Sequence, residues 1–256
     1  MSDDLTIWAD RLEAVVRVHP GPIDRVRVMA ETGSTQDAAL NASGSRPGLL
    51  LTAGRQLCGR GRLGRKWIDQ SAGGVAVTLV LPGTVESWHL SMLAGVAAAS
   101  ACERFLLRQT HTRWPNDVLE PGPRGRKLGG VLVEVRGGLA LVGIGINVKQ
   151  NTQDWPTELA EHAVSLSQLG AACERIEVLE AVLTEVHRLW RQPARDLVEA
   201  WRRREWLIGR RCVIAHDDRR HTGVVRSIDP LGHLVLATAD GDLHLPSASA
   251  SVVAAV

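Results

Sequence analysis

Gly59-Arg60-Gly61-Arg62-Leu63-Gly64-Arg65-Lys66-Trp67 is the stretch on which the reading of this chain turns. Its glycines permit positive φ angles and close backbone approach to a ligand. Its arginines and lysine supply charge for phosphate or carboxylate oxygens, and a tryptophan closes it. Such a loop suits an anionic small molecule, ordered over it and loose otherwise. Gly59, Gly61 and Gly64 also match G-x-G-x-x-G. A Rossmann fingerprint must open a helix, however, and Lys66 to Gly74 reads as loop. No H-R-D or D-F-G motif accompanies it for a kinase, and Lys66-Trp67 is not the Gly-Lys-Ser/Thr of a P-loop. Alone, the stretch is no more than a solvated basic turn.

Upstream, Leu49 to Gly54 reads as an apolar strand feeding this loop, and Arg25 to Ala30 as another. Between them, Gly33-Ser34-Thr35 signals a turn and an N-cap for a short helix through Leu40, so local signals assign Ser34 and Thr35 to capping. Leu5, Trp8, Leu12, Val15 and Val16 fall at helical spacing before His19-Pro20-Gly21-Pro22 breaks the pattern. Downstream, Gly74 to Leu81 is a strand ended by Pro82-Gly83, and an alanine-rich helix spans about Glu86 to Arg108. Thr112 to Trp114 is a short strand, Pro115-Asn116-Asp117 a turn, and Leu128–Val135 and Leu139–Val148 two strands joined by Gly137-Gly138. Helices run from about Arg175 to Trp206 with a break at Pro193.

After Gly209 the texture changes to short strands (Cys212–Ala215, Gly223–Ile228, Leu234–Ala237, Asp242–Leu245, Ser251–Ala254), separated by Asp217-Asp218, Asp229-Pro230, Asp240-Gly241 and Pro246. These predict a small β-barrel over 209–256, set off from a larger domain over 1–208.

The chain has 256 residues and a formal charge of +2, so no field over the whole protein calls for nucleic acid or an anionic membrane. Met1-Ser2-Asp3-Asp4 lacks the features of a signal peptide, and Met92 to Cys102 is too short to span a bilayer. Cys58, Cys102, Cys173 and Cys212 have no metal spacing, which favours reduced thiols in a cytoplasm. Nor do His216, His221, His233 and His244 fit a metal site. Only Lys66, Lys127 and Lys149 are lysines, against 30 basic residues in all. A lysine kept in so arginine-biased a sequence marks a position that needs a compact ammonium.

Lys127-Leu128-Gly129-Gly130-Val131-Leu132-Val133-Glu134 puts that lysine at a strand start beside two glycines. Trp114-Pro115-Asn116-Asp117 supplies a carboxylate, and Gly143-Ile144-Gly145-Ile146-Asn147 ends a strand with small residues and an amide. Together with the basic loop, these motifs sit at the ends of consecutive strands. In this order GRGRLGRKW, RWPNDV, KLGGVLVE and GIGINV resemble the biotin protein ligases (biotin–[acetyl-CoA carboxylase] ligases), from about Ser34 to Asn147. Val164-Ser165-Leu166 and the small C-terminal unit match more weakly.

The resemblance implies an α/β (α+β) fold: a mixed sheet like that of class II aminoacyl-tRNA synthetases, flanked by helices, plus an SH3-like C-terminal barrel. It implies that biotin's carboxylate attacks the α-phosphorus of ATP, with Mg²⁺, and that a lysine of a biotin carboxyl carrier protein or domain then takes the biotinyl group. Lys127 looks like the residue that holds the biotin carboxylate and α-phosphate. Arg60, Arg62 and Arg65 match the loop that closes over the adenylate. Ser34, Thr35, Gln36, Gln56 and Gly59 match the ureido-ring side of the biotin slot, and Gly129 and Gly130 its border. Trp67, Asn116 and Asn147 match positions on the nucleotide side. Asp117 matches a carboxylate that the resemblance implies orients or deprotonates the acceptor amine, so Lys127, Asp117 and Arg62 form the expected catalytic group. No residue is assigned to the metal.

The sequence departs from the pattern at Arg113 (usually lysine), Gln36 (asparagine), Gly129 (alanine) and Cys58 (a small residue). The segment ahead of Arg25 is too short for a DNA-binding domain, so the resemblance is to the monofunctional type, without operator binding. Oligomeric state stays open between monomer and homodimer. The competing readings are a lipoate or octanoate ligase or transferase of the same superfamily and, more remotely, a nucleic-acid-binding module built on Arg60–Lys66 and Arg202-Arg203-Arg204.

Overall fold

The computed structural model describes residues 5–69, 71–229 and 232–255. The acidic start, Met1 to Asp4, and Pro230 of the expected Asp229-Pro230 turn lie outside them. Helix α1 (Thr6–Val18) leads into strand β1 (Arg25–Thr32), helix α2 (Thr35–Ser43) and strand β2 (Leu49–Gln56). The basic stretch follows as strands β3 (Gly59–Arg60) and β4 (Lys66–Trp67), then strand β5 (Gly74–Pro82) and helix α3 (Ser87–Leu106). Strands β6 (His111–Arg113), β7 (Asp117–Leu119), β8 (Lys127–Arg136) and β9 (Leu139–Asn147) precede helices α4 (Arg175–Trp190) and α5 (Ala194–Arg202). Strands β10 (Arg211–His216), β11 (Arg219–Asp229), β12 (His233–Thr238), β13 (Gly241–Pro246) and β14 (Ser251–Ala255) complete the order.

Seven strands make one mixed sheet in the order β1-β2-β5-β9-β8-β7-β6. β1 and β2 run parallel with α2 as their crossover, and the other neighbours are antiparallel. Side chains alternate across a strand, and β9 shows what that alternation does here. Ala140, Val142, Ile144 and Ile146 enter the large core with α1, α3 and α4. Leu139 and Leu141 face the other way, into a smaller core with Ala39 of α2. Further along that second face the residues are Gly143 and Gly145. Large side chains thus seat α2 on one half of the face, and glycines leave the other half open.

The C-terminal strands form a five-stranded antiparallel sheet in the order β13-β12-β11-β10-β14, with β13 and β14 at its edges. Where an SH3-like barrel was expected, the strands form this antiparallel sheet, in which β13 and β14 are not paired with each other. Its Cys212, Ile214, Val225 and Leu236 belong to the same buried cluster as the large core.

Two local expectations change. Lys66-Trp67 is not loop: Gly59 pairs with Trp67 and Arg60 with Lys66, so the basic stretch is a tight hairpin. Its tip carries Leu63 at φ +55° and Gly64 at φ +73°. Ser34 occupies the N-cap position of α2 but makes no side-chain capping bond. The Gln56 side chain does that work, because β2 ends beside the start of α2 and its Oε1 accepts the Thr35 N–H at 2.8 Å.

Candidate active site

A cavity of about 290 Å³ lies where the start of α2, the basic hairpin and the glycine half of β8 and β9 converge. The expected Ser34, Thr35, Gln36, Gln56, Arg60, Arg62, Arg65, Trp67, Asn116, Asp117, Lys127 and Gly130 all line it. Gly59, Gly129 and Asn147 do not line it. Gly59 allows the hairpin arms to close, since a β-carbon there would stand 2.6 Å from the Trp67 carbonyl oxygen. Gly129 packs against the Gly145 carbonyl. Asn147 is buried, and its Nδ2 donates to the carbonyls of Lys127 at 3.2 Å and Val164 at 3.1 Å. It braces the strand start that carries Lys127.

One end of the cavity is polar and uncharged. Thr78 Oγ1 donates to Thr35 Oγ1 at 2.9 Å, which donates to Gln56 Oε1 at 3.0 Å. Gln36 spends its amide nitrogen on the carbonyls of Leu132 and Leu141, both at 3.1 Å, pinning α2 to β8 and β9. The Ser34 hydroxyl and the Gln56 amide nitrogen have no side-chain partner among the described residues. They are the groups left to meet a ligand. Thr78 was not legible as part of this end, because its only local signal is a polar residue inside the apolar run of β5.

The other end is charged. Asp117 Oδ1 lies 2.6 Å from Lys127 Nζ, and its Oδ2 accepts from Arg113 at 2.7 and 3.2 Å. Burial alone would raise the Asp117 carboxyl, but Lys127 and Arg113 outweigh it and hold the group below the ordinary range. A carboxylate so held is a weak base. Asn116 donates from Nδ2 to the Val131 carbonyl at 2.6 Å and fixes the turn against β8. Lys127 Nζ also stands 5.8 Å from the Trp67 ring centroid, within reach of its π face.

The hairpin arginines have separate tasks. Arg60 bonds Asp37 at 2.6 and 3.0 Å and Glu134 at 3.2 Å, so it ties β3 to α2 and β8. Arg60 first, and then Arg136, hold Asp37 down to about 2 against the effect of burial. Arg62 donates to the carbonyls of Ser247 and Ala250 in the β13–β14 turn, and burial lowers its guanidinium from the ordinary value. Arg65 donates to Ser251 Oγ at 3.0 Å. The C-terminal sheet therefore contributes a wall, with Ser251 and Val252 on the cavity. Sequence reading gave that sheet no part in the site, since nothing local brings residue 251 to residue 65.

Asp117 is the one carboxylate among the lining residues, and it is already held by two cations. Among the described residues no three His, Cys, Asp or Glu side chains are grouped to hold a metal ion, the C-terminal histidines included. The arrangement suits two anions brought together by cations, beside an uncharged hydrogen-bonding slot.

Comparison with known proteins points the same way. The model of the biotin/lipoate A/B protein ligase family matches residues 26–151. The chain is 33% identical over 224 residues to a biotin–[acetyl-CoA-carboxylase] ligase of Mycobacterium tuberculosis, covering 82% of each. It is 36% identical over 161 residues to the bifunctional ligase/repressor BirA of Bacillus spizizenii, 59% of this chain and 49% of that protein. The chain thus spans about half the length of that relative. A solved biotin protein ligase of Aquifex aeolicus, in complex with biotin and ATP, shares the fold with a TM-score of 0.77 at 27% identity, covering 89% of this chain and 97% of that one.

Proposed function

The chain belongs to the biotin protein ligase family, and from that premise we propose that it activates biotin with ATP and transfers it to a protein lysine. In the first step a biotin carboxylate oxygen attacks the α-phosphorus and pyrophosphate leaves, giving biotinyl-5′-AMP. In the second, the amine of a carrier lysine attacks the acyl carbon, loses a proton, and AMP leaves. The acceptor is a biotin carboxyl carrier protein or domain of an acyl-CoA carboxylase.

The observation that carries this reading is the pairing of two unlike ends in one cavity. Lys127, Arg62 and Arg65 surround the charged end, where two mutually repelling anions must meet. Ser34 and Gln56 offer a donor–acceptor set at the other, suited to a ureido ring. A plain lipoyl or octanoyl chain would leave those groups unpaired, at about 1–3 kcal/mol each. Lys127 takes the carboxylate and α-phosphate, Asp117 orients the acceptor amine, and Arg62 and Arg65 hold the hairpin over the mixed anhydride to keep water out. Trp67 and Asn116 border the nucleotide. Mg²⁺ belongs to this scheme with ATP, carried on its phosphates as part of the substrate.

Among the described residues no helix is long and apolar enough to cross a membrane. A cytoplasmic setting is part of the proposal and is supported by four unpaired cysteines. A two-domain division near residue 208 and the absence of operator binding are also part of it; a gel shift with biotinyl-5′-AMP present tests the latter. The direct test is incubation with ATP, Mg²⁺, biotin and a carrier domain, read as the mass gained on the carrier lysine. Mass gain with lipoate or octanoate and none with biotin would move the protein to the neighbouring activity.

A further inference from the structure

We propose that Arg113 is a positioning residue, whose hold on Asp117 leaves the charge of Lys127 available to an incoming anion. The inference rests on the ligase reading. Arg113 Nε and Nη2 both donate to Asp117 Oδ2, at 3.2 and 2.7 Å, while Oδ1 alone meets Lys127 Nζ at 2.6 Å. Each carboxylate oxygen thus has its own cation. Two positive charges against one negative leave the cluster with one net positive charge.

That surplus decides what Lys127 can do. With Arg113 removed, Lys127 and Asp117 form a neutral pair. A carboxylate or phosphate that drew the ammonium away would then strand a nearly buried Asp117, and stranding a buried charge is strongly unfavourable. With Arg113 in place, Asp117 keeps a partner while Lys127 turns to the ligand. Space for that turn exists, because residue 130 is glycine; a β-carbon there would stand 3.1 Å from both Lys127 Cε and Nζ.

The frame behind Arg113 is fixed. Its strand, β6, is an edge of the large sheet and pairs Arg113 with Asp117. The neighbouring Thr112 exchanges backbone bonds with the chain after α5, its N–H to the Arg204 carbonyl at 2.8 Å and its carbonyl from the Trp206 N–H at 2.9 Å. Two charged groups act on the trio from outside it: Arg62 of the hairpin on Asp117, and Glu205, in the connection after α5, on Arg113.

The test compares Arg113→Gln and Arg113→Lys with the wild-type protein. Biotinyl-5′-AMP formation is measured at varied biotin, and the Asp117 carboxyl carbon is followed by NMR against pH in protein without substrates. Thermal unfolding checks that both variants fold. We expect Arg113→Gln to lower kcat/KM for biotin by about tenfold or more, and Arg113→Lys to restore most of it, since the retained element is a cation. The Asp117 titration midpoint should rise in Arg113→Gln, which removes one of its two cations, and fall back in Arg113→Lys. A merely structural role moves neither readout in this way. Wild-type kcat/KM in Arg113→Gln, or an unmoved Asp117 midpoint, overturns the proposal. Wild-type protein that makes no biotinyl-5′-AMP overturns the ligase reading instead, and the Asp117 midpoint then decides by itself whether Arg113 holds that carboxylate.

Discussion

The indole of Trp67 lies against the backbone of Gly145: a β-carbon at residue 145 would stand 2.6 Å from Trp67 Cζ2 and 2.7 Å from Cε2. The second arm of the basic hairpin therefore rests on the glycine half of β9. The indole borders the cavity from there. Gly145→Ala should push Trp67 outward, weakening ATP binding by about tenfold and costing about 1–3 kcal/mol of stability through overpacking. Calorimetric titration with ATP and urea unfolding measure the two effects. Unchanged affinity would remove Trp67 from the nucleotide side.

Lys127→Ala should lower pyrophosphate release by about 10²–10³-fold, the usual loss when a cation aimed at developing negative charge is removed. Arg113 still pairs Asp117 in that variant, so the fold should hold. A variant that is folded and fully active would take Lys127 out of the mechanism.

Arg62→Ala deletes the donor to the Ser247 and Ala250 carbonyls. The hairpin should loosen from the C-terminal sheet. Faster amide exchange over residues 59–67 and faster escape of biotinyl-5′-AMP into solution report this separately. If leakage does not change, the hairpin is no lid.

Glu205 gives the protein a pH dependence unrelated to substrate. Burial pushes its carboxyl from 4.5 up to about 7, against the Leu207, Trp114 and Trp206 backbone groups that favour the charged form. The folded state therefore binds a proton that the unfolded chain releases between those values. This stability is complete below about pH 4.5 and is lost as pH rises through 7, by up to about 3 kcal/mol. Glu205→Gln should flatten that slope in denaturant midpoints between pH 5 and 8. An equal slope in variant and wild type would place the titration elsewhere.

The particular motifs show what was readable and what was not. Gly137-Gly138 announced its hairpin, and both residues have positive φ, 57° and 76°. Lys127 and the glycines beside it were legible because arginine bias and strand-end position are local facts. Ser34 was misread as a cap, since a capping signature cannot register a glutamine 22 positions away that β2 delivers to the same N–H. Arg60 lines the cavity, but nothing local announced that Asp37 and Glu134, from two other elements, also engage it.

By itself the sequence determined most of the strands and their order, though not β3, β4 or β7, and the chemical types present at the strand ends. Those follow from backbone periodicity and turn chemistry, which act over a few residues. Only the tertiary structure decided which charges cancel. Asp117 is a held carboxylate because Lys127 and Arg113 reach it from β8 and β6, and Arg62 meets Ser247 because two sheets share one core. Coulomb and hydrogen-bond energies depend on separations in space, and for residues far apart along the chain those separations exist only once the sheets have packed.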